Sequence, residues 1–358
     1  MILPWRTKRW RCADYIVPEI DWTAAIGGRI STTFLIWVLV GLFLAADWAL
    51  VIVLNKRMLA YFNPLPLNLL LRFVTLGAIL AITVPLTAFD WWDLEFGMSA
   101  EAAGYIVVAA VITWAFAFNA YYYALRTGRA SVVSPITATD PIWAALFAPL
   151  VLGTSLDPLV LGGLLIATLG VVLIGRWMST EGGELPEAAA IPAPAAAAAP
   201  TAGTDGAGSG VLRMVVLATI AAAGWGLGPV VIELAENANG GPSAGMMVMS
   251  QSLGAMLIGG IMLIRRGPMM AAPLGAERRR MIVLLFVAGL LEAVFAVLYY
   301  LIIAAIGAVL TLLLGATSPV FAILGGALFL GERVDRRLVA AATVTMGGVV
   351  IAILARAV

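Results

Sequence analysis

Histidine is absent from this chain, and cysteine occurs once, at Cys12. Without histidine there is no Ser-His-Asp or Cys-His catalysis, no imidazole metal ligand and no histidine proton switch. One cysteine excludes an intrachain disulfide, and there is no CxxC or Cys/His cluster to hold a metal. No GxxxxGK[ST] phosphate loop is present, so ATP hydrolysis within the chain is not expected. Charge is also scarce, at 11% of residues against about 25% in soluble domains. Net charge is near zero and the arginines fall at helix ends rather than in one patch, which offers no nucleic-acid surface. No cofactor is expected.

What fills the chain is apolar sequence, 62% of its residues. Long continuous apolar runs, rather than alternating ones, read as membrane helices and not as a barrel, because only helices or closed barrels satisfy their own backbone groups in lipid. Candidate spans lie at about 32–54, 66–88, 104–125, 130–152 and 158–177, then at 211–235, 243–264, 281–302, 307–330 and 337–356. Residues 1–31 form a charged tail with no signal-peptide core. Residues 179–210, rich in Ala, Pro and Gly, read as a disordered linker between a first unit at 32–178 and a second at 211–358.

The two units repeat. At an offset of 177 residues Trp48 meets Trp225, Leu76-Gly77-Ala78 meets Leu253-Gly254-Ala255, and Tyr122-Tyr123 meets Tyr299-Tyr300. At 178, Pro141 meets Pro319, Gly153 meets Gly331, Asp157 meets Asp335 and Gly170-Val171-Val172 meets Gly348-Val349-Val350. One nearly constant diagonal indicates an internal duplication. Five spans per unit is an odd number, so the second unit enters the membrane from the opposite side. The fold expected is therefore all-α and integral to the membrane, ten transmembrane helices arranged as two inverted five-helix repeats around a central cavity. Loop arginines and lysines place the linker in the cytoplasm and both termini outside, whereas the basic N-terminal tail argues the reverse. The opposite face carries the acidic aromatic loop Asp90-Trp91-Trp92-Asp93-Leu94-Glu95.

Trp48 followed by Lys56, Leu71-Arg72-Phe73, Tyr123-Ala124-Leu125 and a proline in the fourth span resemble the EamA-type half of the drug/metabolite transporter superfamily. Gly224-Trp225-Gly226, Tyr299-Tyr300, Ser318-Pro319 and Leu330-Gly331-Glu332-Arg333 repeat that pattern in the second unit. The resemblance covers roughly residues 32–177 and 211–356. It implies a ten-helix carrier for small metabolites or drugs, in a multi-pass bacterial inner membrane type of location. The halves depart from one another in charge: Glu233 stands opposite Lys56, Asp140 opposite Ser318, Met249 opposite Arg72 and Thr154 opposite Glu332.

An ionisable side chain at mid-membrane costs roughly 2.5–3.5 kcal/mol and calls for a partner, water or a role. Asp140 and Glu292 are expected near the middle of the fourth and eighth spans. They are read either as proton-binding carboxylates or as buried polar groups hydrogen-bonded to neighbouring helices. Asp47 and Arg72 share a depth, which makes them candidates for an ion pair or, through the arginine fork, for holding a substrate carboxylate. Lys56 and Glu233 read as interfacial charges. Gly226-Leu227-Gly228-Pro229 is a candidate helix break, Pro135, Pro141 and Pro319 candidate bends. Trp114, Asn119, Tyr122, Tyr123, Trp225, Gly228, Tyr299 and Tyr300 are candidates to line the cavity, although tyrosines near helix ends also serve as interfacial anchors. The glycine pairs at Gly162-Gly163, Gly259-Gly260 and Gly347-Gly348 read as close-packing positions.

These features imply a secondary active transporter, an exporter of small organic solutes by alternating access with proton coupling. Its expected partners are a small-molecule substrate, protons and the lipid bilayer. The rival reading is an intramembrane enzyme acting on a lipid or isoprenoid, disfavoured because the acids are scattered over different helices.

Overall fold

The structure is a computed structural model that describes residues 32–88, 96–127, 133, 136–155, 157–180, 207–265, 268, 270, 275–321 and 336–357. The N-terminal tail, the acidic loop at 90–95, most of the linker, Pro135, Gly331, Glu332, Arg333 and Asp335 lie outside the described residues. Those described are helical apart from short turns and one isolated bridge, Phe62 to Met270.

In the first unit α1 is Thr32–Met58, α2 Pro64–Ala88, α3 Ala100–Thr127, α4 Asp140–Leu152 and α5 Pro158–Thr180. In the second, α6 is Ala207–Asn239, α7 Ala244–Arg265, α8 Arg278–Ile306, α9 Ala308–Gly315 and α10 Arg336–Ala357. Helices α1, α2, α3, α6, α7 and α8 are each long and apolar enough to cross a membrane, and shorter apolar helices accompany them. Their outer faces carry large apolar side chains with no protein cover, among them Leu150 at 82% and Ile264 at 84% exposed. An exposed apolar surface of that kind belongs against lipid. The helices α5 and α6 reach into the two ends of the expected linker, to Thr180 and from Ala207.

Exchanging each helix for the one five places on maps most of the packing onto itself. Helix α1 packs on α8 and α9 as α6 packs on α3 and α4, and α2 packs on α8 as α7 packs on α3. The pairs α2–α7, α4–α9 and α5–α10 are their own mates. At the α5–α10 crossing the correspondence reaches single residues: space for a side chain at Gly170 is taken by Thr345, and space at Gly348 by Ala167 and Gly163. Glycines there let two backbones touch, as small residues do between membrane helices.

The fourth and ninth spans are not continuous over 130–152 and 307–330. A turn at Ala138–Thr139 precedes α4, and the matching turn at Ala316–Thr317 follows α9 before helix resumes at Ser318. Proline has no N–H to donate and disfavours helical backbone in the residue before it, so Pro141 and Pro319 place a break at each site. The threonine hydroxyls close both turns alike, Thr139 donating to the Ile136 carbonyl at 2.7 Å and Thr317 to the Leu314 carbonyl at 2.6 Å. Asp140 therefore sits in the first turn of α4 rather than at mid-helix. By contrast, α6 runs unbroken through Gly226, Gly228 and Pro229, where a break was expected.

Overpacking the α5–α10 crossing tests this arrangement. A Cβ at Gly163 would fall 2.6 Å from the Gly348 carbonyl oxygen and 2.7 Å from Ala352 N, whereas one at Gly162 meets nothing within 4 Å. Gly163→Leu is expected to destabilise by about 1–3 kcal/mol and to lower the melting temperature in detergent, followed by circular dichroism. Gly162→Leu should leave it unchanged.

Candidate functional site

A cavity of about 130 Å³ lies between the two units, several times the space a single water needs. Helices α1, α2, α3 and α4 contribute Trp48, Arg72, Trp114 and Asp140 from one side, while α6, α7, α8 and α9 contribute Trp225, Gln251, Glu292 and Leu312 from the other. The two tryptophans that mark the repeat meet in it edge to face, with ring centroids 5.5 Å apart.

Arg72 is the most completely covered charge among the described residues, 1% exposed. Its Nη2 pairs with Glu292 Oε2 across the α2–α8 contact, a bond that joins the two units. Its Nη1 donates to Gln251 Oε1 at 2.7 Å, and Thr75 Oγ1 donates to the same Glu292 oxygen at 3.4 Å. The guanidinium carbon lies 4.0 Å from the Trp114 ring centroid and 5.2 Å from that of Phe118, a cation–π arrangement. The pair expected between Asp47 and Arg72 is thus replaced by one with Glu292. A shared depth does not reveal which face of each helix points inward. Asp47 is 5% exposed, and its Oδ2 has no hydrogen-bond partner among the described residues.

Trp114 is aimed by an irregularity in α3. Residues Val111–Ala117 form a π-helical segment, a device common at functional sites. The wider turn leaves carbonyls short of helical donors, and Asn119 Nδ2 donates to those of Ala115 at 3.0 Å and Trp114 at 3.3 Å. Asn68 Nδ2 in turn donates to Asn119 Oδ1 at 3.1 Å. Trp114 Nε1 donates to Ser250 Oγ at 2.9 Å, and its ring occupies the space that Gly254 leaves on α7.

Of the residues expected to line the cavity, Trp114, Trp225, Tyr299 and Tyr300 do so, together with Asp140, Arg72 and Glu292. Asn119, Tyr122, Tyr123 and Gly228 do not. Asn119 is turned onto the α3 backbone and Tyr122 is wholly buried in the packing between helices, while Gly228 gives Thr113 room against α6. Phe118, Phe295, Ser250 and Gln251 line the cavity without having been singled out in the sequence, and so does Ser318, which was noted as the mate of Asp140 and not as a cavity residue. Nor had Glu236, 3% exposed beside the end of α6, whose two carboxylate oxygens have no hydrogen-bond partner among the described residues.

Asp140 is half-buried at the cavity wall, and its Oδ1 has no hydrogen-bond partner among the described residues. The positive end of the α4 dipole lies at this position. Gly226 lets α6 approach it closely, since a side chain there would stand 2.7 Å from the Asp140 carbonyl oxygen. Pro229, also in the wall, removes the helical donor from the Trp225 carbonyl.

The charged mates Lys56 and Glu233, expected at the interface, each close a helix end instead. Lys56 Nζ donates to the Leu125 carbonyl at 2.6 Å, in the last turn of α3. Glu233 Oε2 accepts from the Ala308 N–H at 2.6 Å, the first residue of α9, which Gly307 opens with φ 81°. A cation on a C-terminus and an anion on an N-terminus both suit the helix dipole, so the sign reversal between repeats follows the end being capped.

Comparison with known proteins agrees with this arrangement. The profile of the EamA-like transporter family matches residues 35–176 and 212–354, both units and nearly the whole described chain. A solved structure titled only as the crystal structure of a protein superposes with a TM-score of 0.59 over 91% of this chain and 98% of its own, at 15% identity, which speaks for the fold alone. A search of curated proteins returns no match.

The Arg72–Glu292 pair carries a thermodynamic expectation. Removing one partner of a buried pair leaves the other charge uncompensated and costs about 3–5 kcal/mol, whereas replacing both by apolar groups costs far less. Thermal unfolding of Arg72→Met, Glu292→Leu and the double variant should show the double variant more stable than either single one.

Proposed function

Because this chain belongs to the EamA-like transporter family, we propose that it is a secondary active exporter of small organic solutes, working by alternating access and driven by protons. In this reading all ten helical segments cross the membrane, the second unit inverted with respect to the first, in a membrane of the bacterial inner type. The observation that carries it is the position of the cavity, enclosed between two units whose contacts exchange, with charged groups from both of them in its wall. Two inverted units can rock about such a cavity and open it to one side at a time. The paired breaks at Ala138–Thr139 and Ala316–Thr317 border the cavity and give both units a point at which to bend.

The titratable groups in the wall are Arg72, Asp140, Glu292, Tyr299 and Tyr300. Glu292 is engaged by Arg72, which leaves Asp140 as the carboxylate free to take up and release a proton as access alternates. Membrane-embedded acids of this kind serve proton relays. No observation favours an enzyme acting on a lipid.

Proteoliposomes loaded with a mixed panel of labelled amines, amino acids, organic acids and sugars test the proposal. Flux of at least one solute is expected to follow an imposed pH gradient, and Asp140→Asn to abolish the gradient-driven component while leaving the protein folded. Flux indifferent to the gradient, with Asp140→Asn fully active, would sink the proton-coupled reading.

A further inference from the structure

Among the described residues the cavity wall holds one cationic side chain, Arg72, and two carboxylates, Asp140 and Glu292. The cation is engaged at both terminal nitrogens and on one face, while its Nε has no hydrogen-bond partner among the described residues. Glu292 and Gln251 take its two terminal nitrogens, the Trp114 ring covers its face and 1% of its surface is open. An anionic ligand would find no free guanidinium fork to dock on, and would have to approach an unpaired carboxylate. The acids each keep one oxygen unused, as Trp225 keeps its Nε1 donor. Asp140 Oδ1 and Glu292 Oε1 are both buried without a hydrogen-bond partner among the described residues. A neutral ligand without donors would leave them so, and an unsatisfied buried acceptor is costly.

The rest of the wall is aromatic. Trp48 stands 5.5 Å from both Trp225 and Phe295, Phe118 5.1 Å from Trp225, and Phe295 5.0 Å from Tyr299, centroid to centroid. Arg72 lies over the Trp114 and Phe118 rings, and among the described residues no cation lies over Trp48, Trp225, Phe295 or Tyr299. Such faces attract ammonium groups, more strongly where water is excluded. Ile52, Ile232 and Leu312 supply an apolar remainder for an uncharged body.

From this inventory we propose that the cavity binds an organic monocation, an ammonium group on an aromatic or aliphatic body. The ammonium lies on the Asp140 side of the cavity and the body lies against the Trp48, Trp225 and Phe295 rings. Bound in this way, the ligand sets its ammonium beside the Asp140 carboxyl and donates to the free Asp140 oxygen. Arg72 is then a positioning residue: it neutralises Glu292 and orders Trp114, and it does not touch the ligand. As a statement about cargo, the proposal rests on the transport reading given above. As a statement about binding, it stands apart from it.

The test uses the purified full-length chain in detergent and three probes of similar shape: 2-phenylethylammonium, 2-phenylethanol and 3-phenylpropanoate. Binding is read by tryptophan fluorescence and isothermal titration at neutral pH. The cation is expected to bind about tenfold or more tightly than either of the others. Asp140→Asn should remove most of that preference while leaving 2-phenylethanol binding unchanged, and Asp140→Glu, which keeps the charge, should retain it. Trp225→Leu should weaken the cation several-fold and Trp225→Phe much less, which keeps the test decisive if Asp140→Asn fails to fold. Tightest binding of 3-phenylpropanoate, equal binding of all three, an unchanged preference in Asp140→Asn, or no saturable binding of the cation below about 10 mM overturns the proposal. If the preference holds but vesicles show no flux, only the transport reading falls. If vesicles move an acid or a sugar while the preference is absent, only the cation assignment falls.

Discussion

Arg72 and Glu292 meet across the join between the two units, and much of the surrounding structure is arranged to make that meeting tolerable. Taking two charges out of water costs several kcal/mol each, and their attraction offsets this only where further hydrogen bonds complete both groups. Gln251 and Thr75 supply part of this and the Trp114 ring shields the guanidinium face, while Arg72 Nε and Glu292 Oε1 have no partner among the described residues. Trp114 needs its own support, which comes from the Ser250 hydroxyl, from the gap at Gly254 and from a π-helical turn whose freed carbonyls Asn119 accommodates. A chain of dependence therefore runs from one ion pair through α2, α3, α7 and α8.

That pair also decides the electrical character of the cavity. Had Arg72 paired with Asp47, Glu292 would be free and the arginine face could be open to a ligand. With Glu292 as its partner, the terminal nitrogens of the arginine are taken, and Asp140 is left as a wall carboxyl with no cationic partner among the described residues. Selectivity for the sign of a ligand can thus arise from which of several acids an arginine takes.

The scaffold is symmetric and the chemistry is not. Trp48 and Trp225 touch, Thr139 and Thr317 close matching turns, and Gly170 and Gly348 make matching close approaches. Yet the repeat mate of Arg72 is Met249, that of Glu292 is Ala115, that of Asp140 is Ser318 and that of Asp47 is Gly224. Packing positions can stay alike in both units because most of the helix contacts have a mate under exchange of the halves. A cavity between two units is shared by both, so its polar groups need not repeat from one unit to the other. The Lys56–Glu233 reversal has a different origin, since each residue caps a helix end of the opposite polarity.

Composition and spacing alone determined that the chain is helical, membrane-embedded and duplicated, because apolar length and a repeated diagonal are one-dimensional properties. They also marked Arg72, Glu292, Asp140, Trp114, Trp225, Tyr299 and Tyr300, since a charge or a polar-tipped aromatic inside an apolar run is conspicuous by itself. The direction each of these faces was not legible. Asn119 and Tyr122 read as cavity residues and turned out to serve the packing of α3, while Phe118, Phe295 and Gln251 were inconspicuous and reached the wall. The proline motif was visible in four places, but whether a proline bends, breaks or is absorbed depends on the neighbours. In α6 the helix runs through Pro229, whereas at Pro141 and Pro319 the preceding threonine hydroxyls stabilise a turn. Only the tertiary structure decided which acid Arg72 would take, because an ion pair is a matter of distance across helices 220 residues apart in sequence, and no local pattern encodes that distance.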